Sequence, residues 1–280
     1  MKKYLLALAM GLFLFTACDG NSSHSHQPNK VVTKAFEAKF PDASRIKWEY
    51  KKNYSVAEFH NDGYETDAWF DQSGKWYMTK TEYRTIENIP HKAVVNAFKD
   101  CEYKDWKVED VDYLKRLDAE GIYIIEVEQG KVEIDLYFSE EGILIKAIPD
   151  DDDDYYENYL PETNPDIQVI LEIVKKKYIN AKIIETEVEH GFIEVEIIDN
   201  GKVKEVIFDN KQNWVNTHYD VKKSEVGQVV LTAIEKKYAN YRIDDIEKYE
   251  TPTGDYYLFE LEQGEKEINV KINFDGVVIE

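Results

Sequence analysis

Cysteine is almost missing from this 280-residue chain, which has two, Cys18 and Cys101. Two thiols cannot build a disulfide framework or a four-cysteine zinc site. Histidine is sparse as well: His24, His26, His60, His91, His190 and His218 are the full set. They form no His-Glu-x-x-His pair and no Cys/His cluster, and no serine nucleophile elbow is present, so zinc and hydrolytic motifs are absent. No apolar run reaches the roughly 20 residues that a membrane-spanning helix takes. Positive charge is also short, with 35 basic against 56 acidic residues and a net charge of −21. Such a surface repels nucleic acid and anionic lipid head groups, and tolerates a cationic partner or none. Aromatics, by contrast, are plentiful: 20 Tyr, 12 Phe and 5 Trp exclude a disordered chain.

The start of the chain reads as an export signal over residues 1–17. Lys2 and Lys3 precede an apolar run from Leu5 to Phe15, and small residues follow in Thr16-Ala17-Cys18. That ending resembles a bacterial lipobox, although Phe15 stands where Leu is usual. The resemblance implies lipidation of Cys18 as the first mature residue and anchoring to a membrane. An ordinary cleaved signal with an incidental cysteine is the alternative. Residues 18–28 then read as a polar tether, rich in Ser, Asn and His and without apolar periodicity. If Cys18 carries lipid, Cys101 has no intrachain partner. It sits on an apolar helical stripe and reads as a small buried hydrophobe.

The mature chain shows internal periodicity. Phe70, Phe138, Phe208 and Phe274, spaced by 68, 70 and 66 residues, each read as the last apolar residue before a turn. Gly74, Gly142 and Gly276 follow three of them, with Gln212 at the corresponding place in the other. Ahead of each lies a helical stripe with spacings of three and four: Val31, Val32, Ala35, Phe36 and Phe40; Val94, Ala97, Phe98 and Cys101; Ile170, Ile173, Val174 and Tyr178; and Val226, Val230, Ala233, Ile234 and Tyr238. Pro28, Pro90 and Pro165 sit at or near three helix starts, and Ser224 is a candidate cap for the fourth. Each stripe gives way to period-two segments punctuated by Gly63, Gly130, Gly201 and Gly264. The expected fold class is α+β: four repeats of a helix plus about four antiparallel strands, with helices on one face of each sheet. The acidic run Asp150–Asp154 is the best boundary, since adjacent carboxylates repel and resist packing. It separates two domains of two repeats each, residues 29–149 and 165–280, with 150–164 as linker. It lacks the spaced acids and mid-loop Gly of a calcium loop, and reads as a solvated connection.

The pattern Ala35-Phe36-x-x-x-Phe40-Pro41-x-Ala43, then Trp48-Glu49, then Ala68-Trp69-Phe70-Asp71-x-x-Gly74-x-Trp76 resembles the PepSY-like domain of secreted bacterial proteins. Residues 29–149 carry one copy. In the second half the signatures weaken to Lys177-Tyr178 and Ile207-Phe208-Asp209. The resemblance implies a fold like that of the beta-lactamase-inhibitor protein, a helical layer on an antiparallel sheet, in an envelope protein of Bacteroidota type. It brings no catalytic residues and no cofactor.

Strand alternation sends Trp69 and Phe70 to opposite faces. With the recurring Phe assigned to the core beneath each helix, Trp69 falls on the other face. Trp48, Trp69, Trp76 and Tyr137 are therefore the candidate binding residues, since exposed aromatics on a sheet anchor partners. The competing reading is that a neighbouring unit covers that face. The expected role is a noncatalytic, lipid-anchored binding or inhibitory module of the cell envelope, at the periplasm or outer membrane. Its partner would be an envelope protein or peptide, with no metal, cofactor or nucleic acid. The alternative is a structural or accessory lipoprotein of a larger assembly.

Overall fold

The computed structural model describes residues 27–149, 156–160 and 164–279. The segment read as an export signal, Cys18, most of the segment read as a tether and Asp150–Asp154 lie outside the described residues. In chain order, helix α1 (Lys30–Lys39) precedes strands β1 (Ser44–Lys51), β2 (Tyr54–Asn61), β3 (Tyr64–Phe70) and β4 (Trp76–Glu82). Helix α2 (Lys92–Asp100) precedes β5 (Lys107–Arg116), β6 (Ile122–Gln129), β7 (Val132–Ser139) and β8 (Leu144–Pro149). Helix α3 (Pro165–Lys177) precedes β9 (Lys182–Glu189), β10 (Phe192–Asp199), β11 (Lys202–Asp209) and β12 (Trp214–Asp220). Helix α4 (Gln228–Lys237) is followed by three strands, β13 (Arg242–Glu250), β14 (Tyr256–Gln263) and β15 (Lys266–Asn273), and an isolated Ile272–Val278 bridge. The result is two antiparallel sheets, β1 to β8 and β9 to β15, each with its strands in sequential order. Short connections between neighbours make this order the low-entropy solution.

Local chemistry fixes the helix ends. The Asn29 side chain accepts from the backbone N–H of Val31 and Val32, and Asn164 accepts from Asp166 with Pro165 at the first helical position. Ser224 does not cap α4: it lies in a 3₁₀ turn, Lys223–Glu225, and Gly227 is the capping residue.

One turn recurs after the third strand of each set. Asp71 Oδ1 accepts from the N–H of Ser73 and Lys75, Asp209 Oδ1 from Lys211 and Asn213, and Asn273 Oδ1 from Asp275 and Val277. Ser139 Oγ takes one such bond, from Ile143. The residue three places on has positive φ and presses against the preceding helix. A Cβ at Gly74 would sit 3.1 Å from Val31 O, and one at Gly142 would sit 2.6 Å from Ala93 O. Glycine is needed there for both conformation and space. Gln212 adopts φ 65° instead and donates from Nε2 to Asp166 Oδ1 at 3.4 Å.

These bonds correct the periodicity. The equivalent of Phe70, Phe138 and Phe208 in the last set is Ile272, fully buried, two residues before Phe274. Phe274 sits inside the turn, is 44% exposed and leans on Tyr257 with ring centroids 4.8 Å apart. Counted from Phe274 to Gly276 the fourth turn reads as shorter than the others, but counted from Ile272 it has the same length.

Four apolar clusters lie between helices and sheets. Val32 and Phe36 of α1 meet Ala57, Phe59, Ala68 and Phe70. Val94 and Phe98 of α2 cover Val111, Tyr123, Ile125 and Phe138. Ile170 and Val174 of α3 cover Val195, Ile197 and Phe208, and Val230 and Ile234 of α4 cover Phe259, Leu261 and Ile272. Cys101 is partly buried beside the α2 cluster, and its Sγ–H donates to Phe98 O at 3.1 Å.

A fifth cluster joins the halves. Trp69, Met78, Leu114, Ile124 and Tyr137, on the face of the first sheet turned away from its helices, pack with Ile184 and Ile198 of the second sheet. The 3₁₀ turn Tyr156–Tyr159 and Leu160 close over the same patch.

Candidate functional site

The aromatic residues singled out in the sequence do not share a surface. Trp48 and Trp76 are half-buried on the helix side. Trp48 meets Phe36 edge-on at 5.2 Å, and Trp76 lies under the Lys39 ammonium at 3.9 Å while donating Nε1–H to Thr79 Oγ1. Trp69 and Tyr137 are on the opposite face but buried, at 1% and 6% exposure, in the cluster between the halves. The neighbouring half covers that face because Ile184, Ile198 and Leu160 supply matching apolar area. Cys18 lies outside the described residues.

The corresponding face of the second sheet carries a different surface. Register places Glu205 opposite His218, His218 opposite Tyr249 and Tyr249 opposite Tyr256, on four consecutive strands. Side chains at directly paired positions stand side by side. The His218 and Tyr249 rings stack at 4.8 Å, as do Tyr249 and Tyr256, both pairs within 5° of parallel. Lys271 Nζ closes one end of the row, 3.8 Å from the Tyr256 ring centroid. Glu205 closes the other, its carboxylate 2.9 Å from His218 Nε2. Every ring in the row is half-buried.

Beside the row is a hollow of about 300 Å³ where β8 of the first sheet meets β9 to β13. Glu185, Glu187, Glu194, Glu196, Glu205 and Glu247 line it against the Lys146 ammonium and the His218 imidazole. Burial raises Glu196 to about 7, and Glu185, Glu205 and Glu194 add to the rise by repulsion against the pull of Lys146. Burial and the charges of Glu205 and Glu187 raise Glu194 to about 6. Burial pulls His218 down, but the bond to Glu205 together with the charges of Glu205, Glu247 and Glu194 outweighs it, and the net shift is upward. The hollow thus concentrates negative potential beside a rigid aromatic strip.

This surface can hold a partner by shape and charge. Among the described residues no group of three or more His, Cys, Asp or Glu is arranged to hold a metal ion. Nor is any helix there long and apolar enough to cross a membrane. Sequence reasoning missed the row because its members lie far apart in the chain. A polar-aromatic alternation in Trp214–Asp220 and Glu247–Tyr256 was the available signal.

A family model described as "Putative beta-lactamase-inhibitor-like, PepSY-like" matches residues 52–146 and 191–280. Among solved structures, the chain is similar to a BLIP-like protein from Bacteroides fragilis NCTC 9343. Identity is 37%, the alignment covers 46% of this chain and 94% of that one, and the TM-score is 0.43. It is also similar to a protein from Bacteroides eggerthii DSM 20697 described as "putative periplasmic", at 25% identity, 47% and 96% coverage and a TM-score of 0.43. A DUF2874 family protein from Bacteroides ovatus ATCC 8483 shares 28% identity over 44% of this chain and 89% of its own, with a TM-score of 0.41. No curated protein matches the chain.

Proposed function

This chain belongs to the PepSY-like, beta-lactamase-inhibitor-like family, with two tandem matching regions, and we propose that it is a noncatalytic binding module of the cell envelope. One observation carries this reading. The His218–Tyr249–Tyr256 row stays half-exposed on the second sheet's helix-free face, beyond the part where Ile184 and Ile198 meet the first sheet, while Trp69 and Tyr137 on the matching face of the first sheet are buried between the halves. Rings stacked across strands lose little side-chain freedom on binding, which favours them as anchors. The acidic hollow selects a partner that presents cationic side chains. Export and lipidation at Cys18 are part of the same proposal, and would hold the module at the envelope through its tether. The four-unit plan, with residues 29–149 and 165–280 as its two domains, is our reading of its organisation. Inhibition of a secreted or periplasmic protein is the mode of action that the family's name suggests.

Site-specific photo-crosslinking in cells tests the binding face. A crosslinker at position 256 should give one discrete adduct, and the same group at Lys34, exposed on α1, should give none. No adduct from position 256, or equal adducts from both, would overturn the assignment. Replacement Cys18→Ser should release the folded protein from membranes. Retention after a salt wash would place the anchor elsewhere.

A further inference from the structure

A second concavity, which shares only Glu185 with the acidic hollow, lies between the two halves. It has a volume of about 540 Å³ and is bounded by the β1–β2, β3–β4 and β5–β6 turns of the first sheet, and by α3 and β9 of the second half. Its electrostatics run against the rest of the molecule. In a chain of net charge −21, Lys52, Lys75, Lys175 and Arg116 converge here, against Asp118 and Glu185. Glu185 is already paired with Lys146 at 2.8 Å. Among the described residues neither Lys52 nor Lys75 has a carboxylate within 4.0 Å, and Lys175 has only the exposed Glu172 at 3.9 Å.

Arg116 makes the point more sharply. It is buried, and its three hydrogen bonds go to neutral carbonyls: Nε and Nη2 donate to Glu120 O at 2.9 and 2.5 Å, and Nη1 to Ile184 O at 2.5 Å. A buried guanidinium ordinarily has a carboxylate partner. In a protein with so many acids to spare, none of the described ones lies within 4.0 Å of it. Burial lowers it to about 10, which leaves it charged at neutral pH.

The walls are apolar and aromatic. Tyr54 and Tyr77 stand in edge contact at 5.3 Å on one side, and Tyr159, Leu160 and Leu171 line the other. Concave sites between domains, with apolar walls and a few convergent polar groups, are where small ligands bind.

We propose that this crevice binds an amphipathic organic anion. Its carboxylate or phosphate head lies among Lys52, Lys75 and Lys175, and its aliphatic or aromatic body lies between the tyrosine pair and Leu160. Arg116 supplies fixed positive potential from the floor. Because α3 and the first sheet both form the walls, the ligand also bridges the two halves.

Isothermal titration of the soluble mature chain with octanoate, set beside 1-octanol of equal length, tests the assignment. Octanoate should saturate at one equivalent and bind at least roughly tenfold tighter than the alcohol, the discrimination that about 1.4 kcal/mol provides. The double variant Lys75→Glu/Lys175→Glu should weaken octanoate by about tenfold or more at an unchanged melting temperature, since both lysines are exposed. A control, Lys34→Glu/Lys211→Glu, removes the same charge from exposed sites away from the crevice and should leave the affinity as it was. The proposal fails if octanoate shows no saturable binding, if octanol binds equally well, or if the control weakens octanoate as much as the crevice variant does.

Discussion

Arg116, at the end of β5, donates from Nη1 to the carbonyl oxygen of Ile184 in β9 at 2.5 Å, a bond between residues 68 apart that ties one sheet to the other. The backbone repeats the link, with Glu120 N–H donating to Ile183 O at 2.9 Å. Lys182 reaches back to both Glu120 and Glu141 at 2.9 Å. Together with the cluster around Trp69, these contacts give the halves a common core.

Expressed alone, residues 29–149 should therefore be markedly less stable than in the whole chain. The fragment would expose Trp69, Met78, Leu114 and Tyr137, an apolar patch that water disfavours. We expect a lower melting temperature, binding of a hydrophobic dye and a red-shifted tryptophan emission. Equal melting of fragment and whole chain would show that the shared cluster adds nothing. The acidic linker led the sequence reading to separable halves, and this comparison decides the matter.

Trp69→Ala should cost about 3–5 kcal/mol, the range for deleting a large buried ring. Trp69→Phe should cost less, about 1–2 kcal/mol. The indole Nε1–H of Trp69 is buried without a hydrogen-bond partner, so the phenyl ring loses volume but no bond. Denaturant midpoints of the two variants test this. A phenylalanine variant as unstable as the alanine variant would show that the indole nitrogen is engaged after all.

What the sequence made legible followed from local rules. Helical spacing at Val32/Phe36 and Ile170/Val174 needs only the period of 3.6, and those residues are buried as the stripes require, whereas Val31, counted in the first stripe, faces solvent at 56% exposure. Gly74 and Gly142 stood out because the turn geometry admits almost nothing else. The errors arose where a longer-range fact decided. Phe274 matched the other phenylalanines in type, but hydrogen-bond register, invisible in one strand, assigns the place to Ile272. Trp69 was correctly turned from the helix, but alternation cannot tell an open face from one covered by residues more than a hundred positions away, as Ile184 and Ile198 are. The His218–Tyr249–Tyr256 row needs the register of three strands at once.

The register correction gives its own test. Phe208→Ala should cost about 3–5 kcal/mol, because Phe208 lies under α3 and is 1% exposed. Phe274→Ala should cost under about 1 kcal/mol, since the residue is 44% exposed and gives up only its contacts with the Tyr257 ring and the Lys248 ammonium. Equal losses at the two positions would restore Phe274 to the core and undo the alignment on Ile272.

Acidification should stabilise the protein before it destabilises it. Asp67, Asp112 and Glu194 are raised to about 6 and Glu196 to about 7, each chiefly by burial. Asp112 shows the strength of that cause, since Lys80 at 2.9 Å and the Tyr156 hydroxyl at 2.5 Å both favour its charged form. Between their ordinary values and these raised ones, the folded chain binds more protons than the unfolded chain does. Stability must then fall as pH rises through that window, and grow as pH drops from 8 towards 5. His218, raised by Glu205, acts in the same direction, because its contribution is lost as pH climbs through its folded value. The opposite sign belongs to Asp71 and Asp209, which turn hydrogen bonds hold below the usual carboxylate range, so their contribution disappears only under stronger acid. The melting temperature should accordingly peak near pH 5. Glu196→Gln isolates one group. Glu196 faces Lys146 from β8, Arg116 from β5, Glu185 from β9, Glu205 from β11 and Glu194 on its own strand, so a neutral amide relieves three repulsions and gives up the attractions of Lys146 and Arg116. The variant should melt higher than the parent at pH 8 and converge with it near pH 5. A variant that is destabilised at pH 8 would mean that the Lys146 and Arg116 attractions outweigh burial and repulsion at this site.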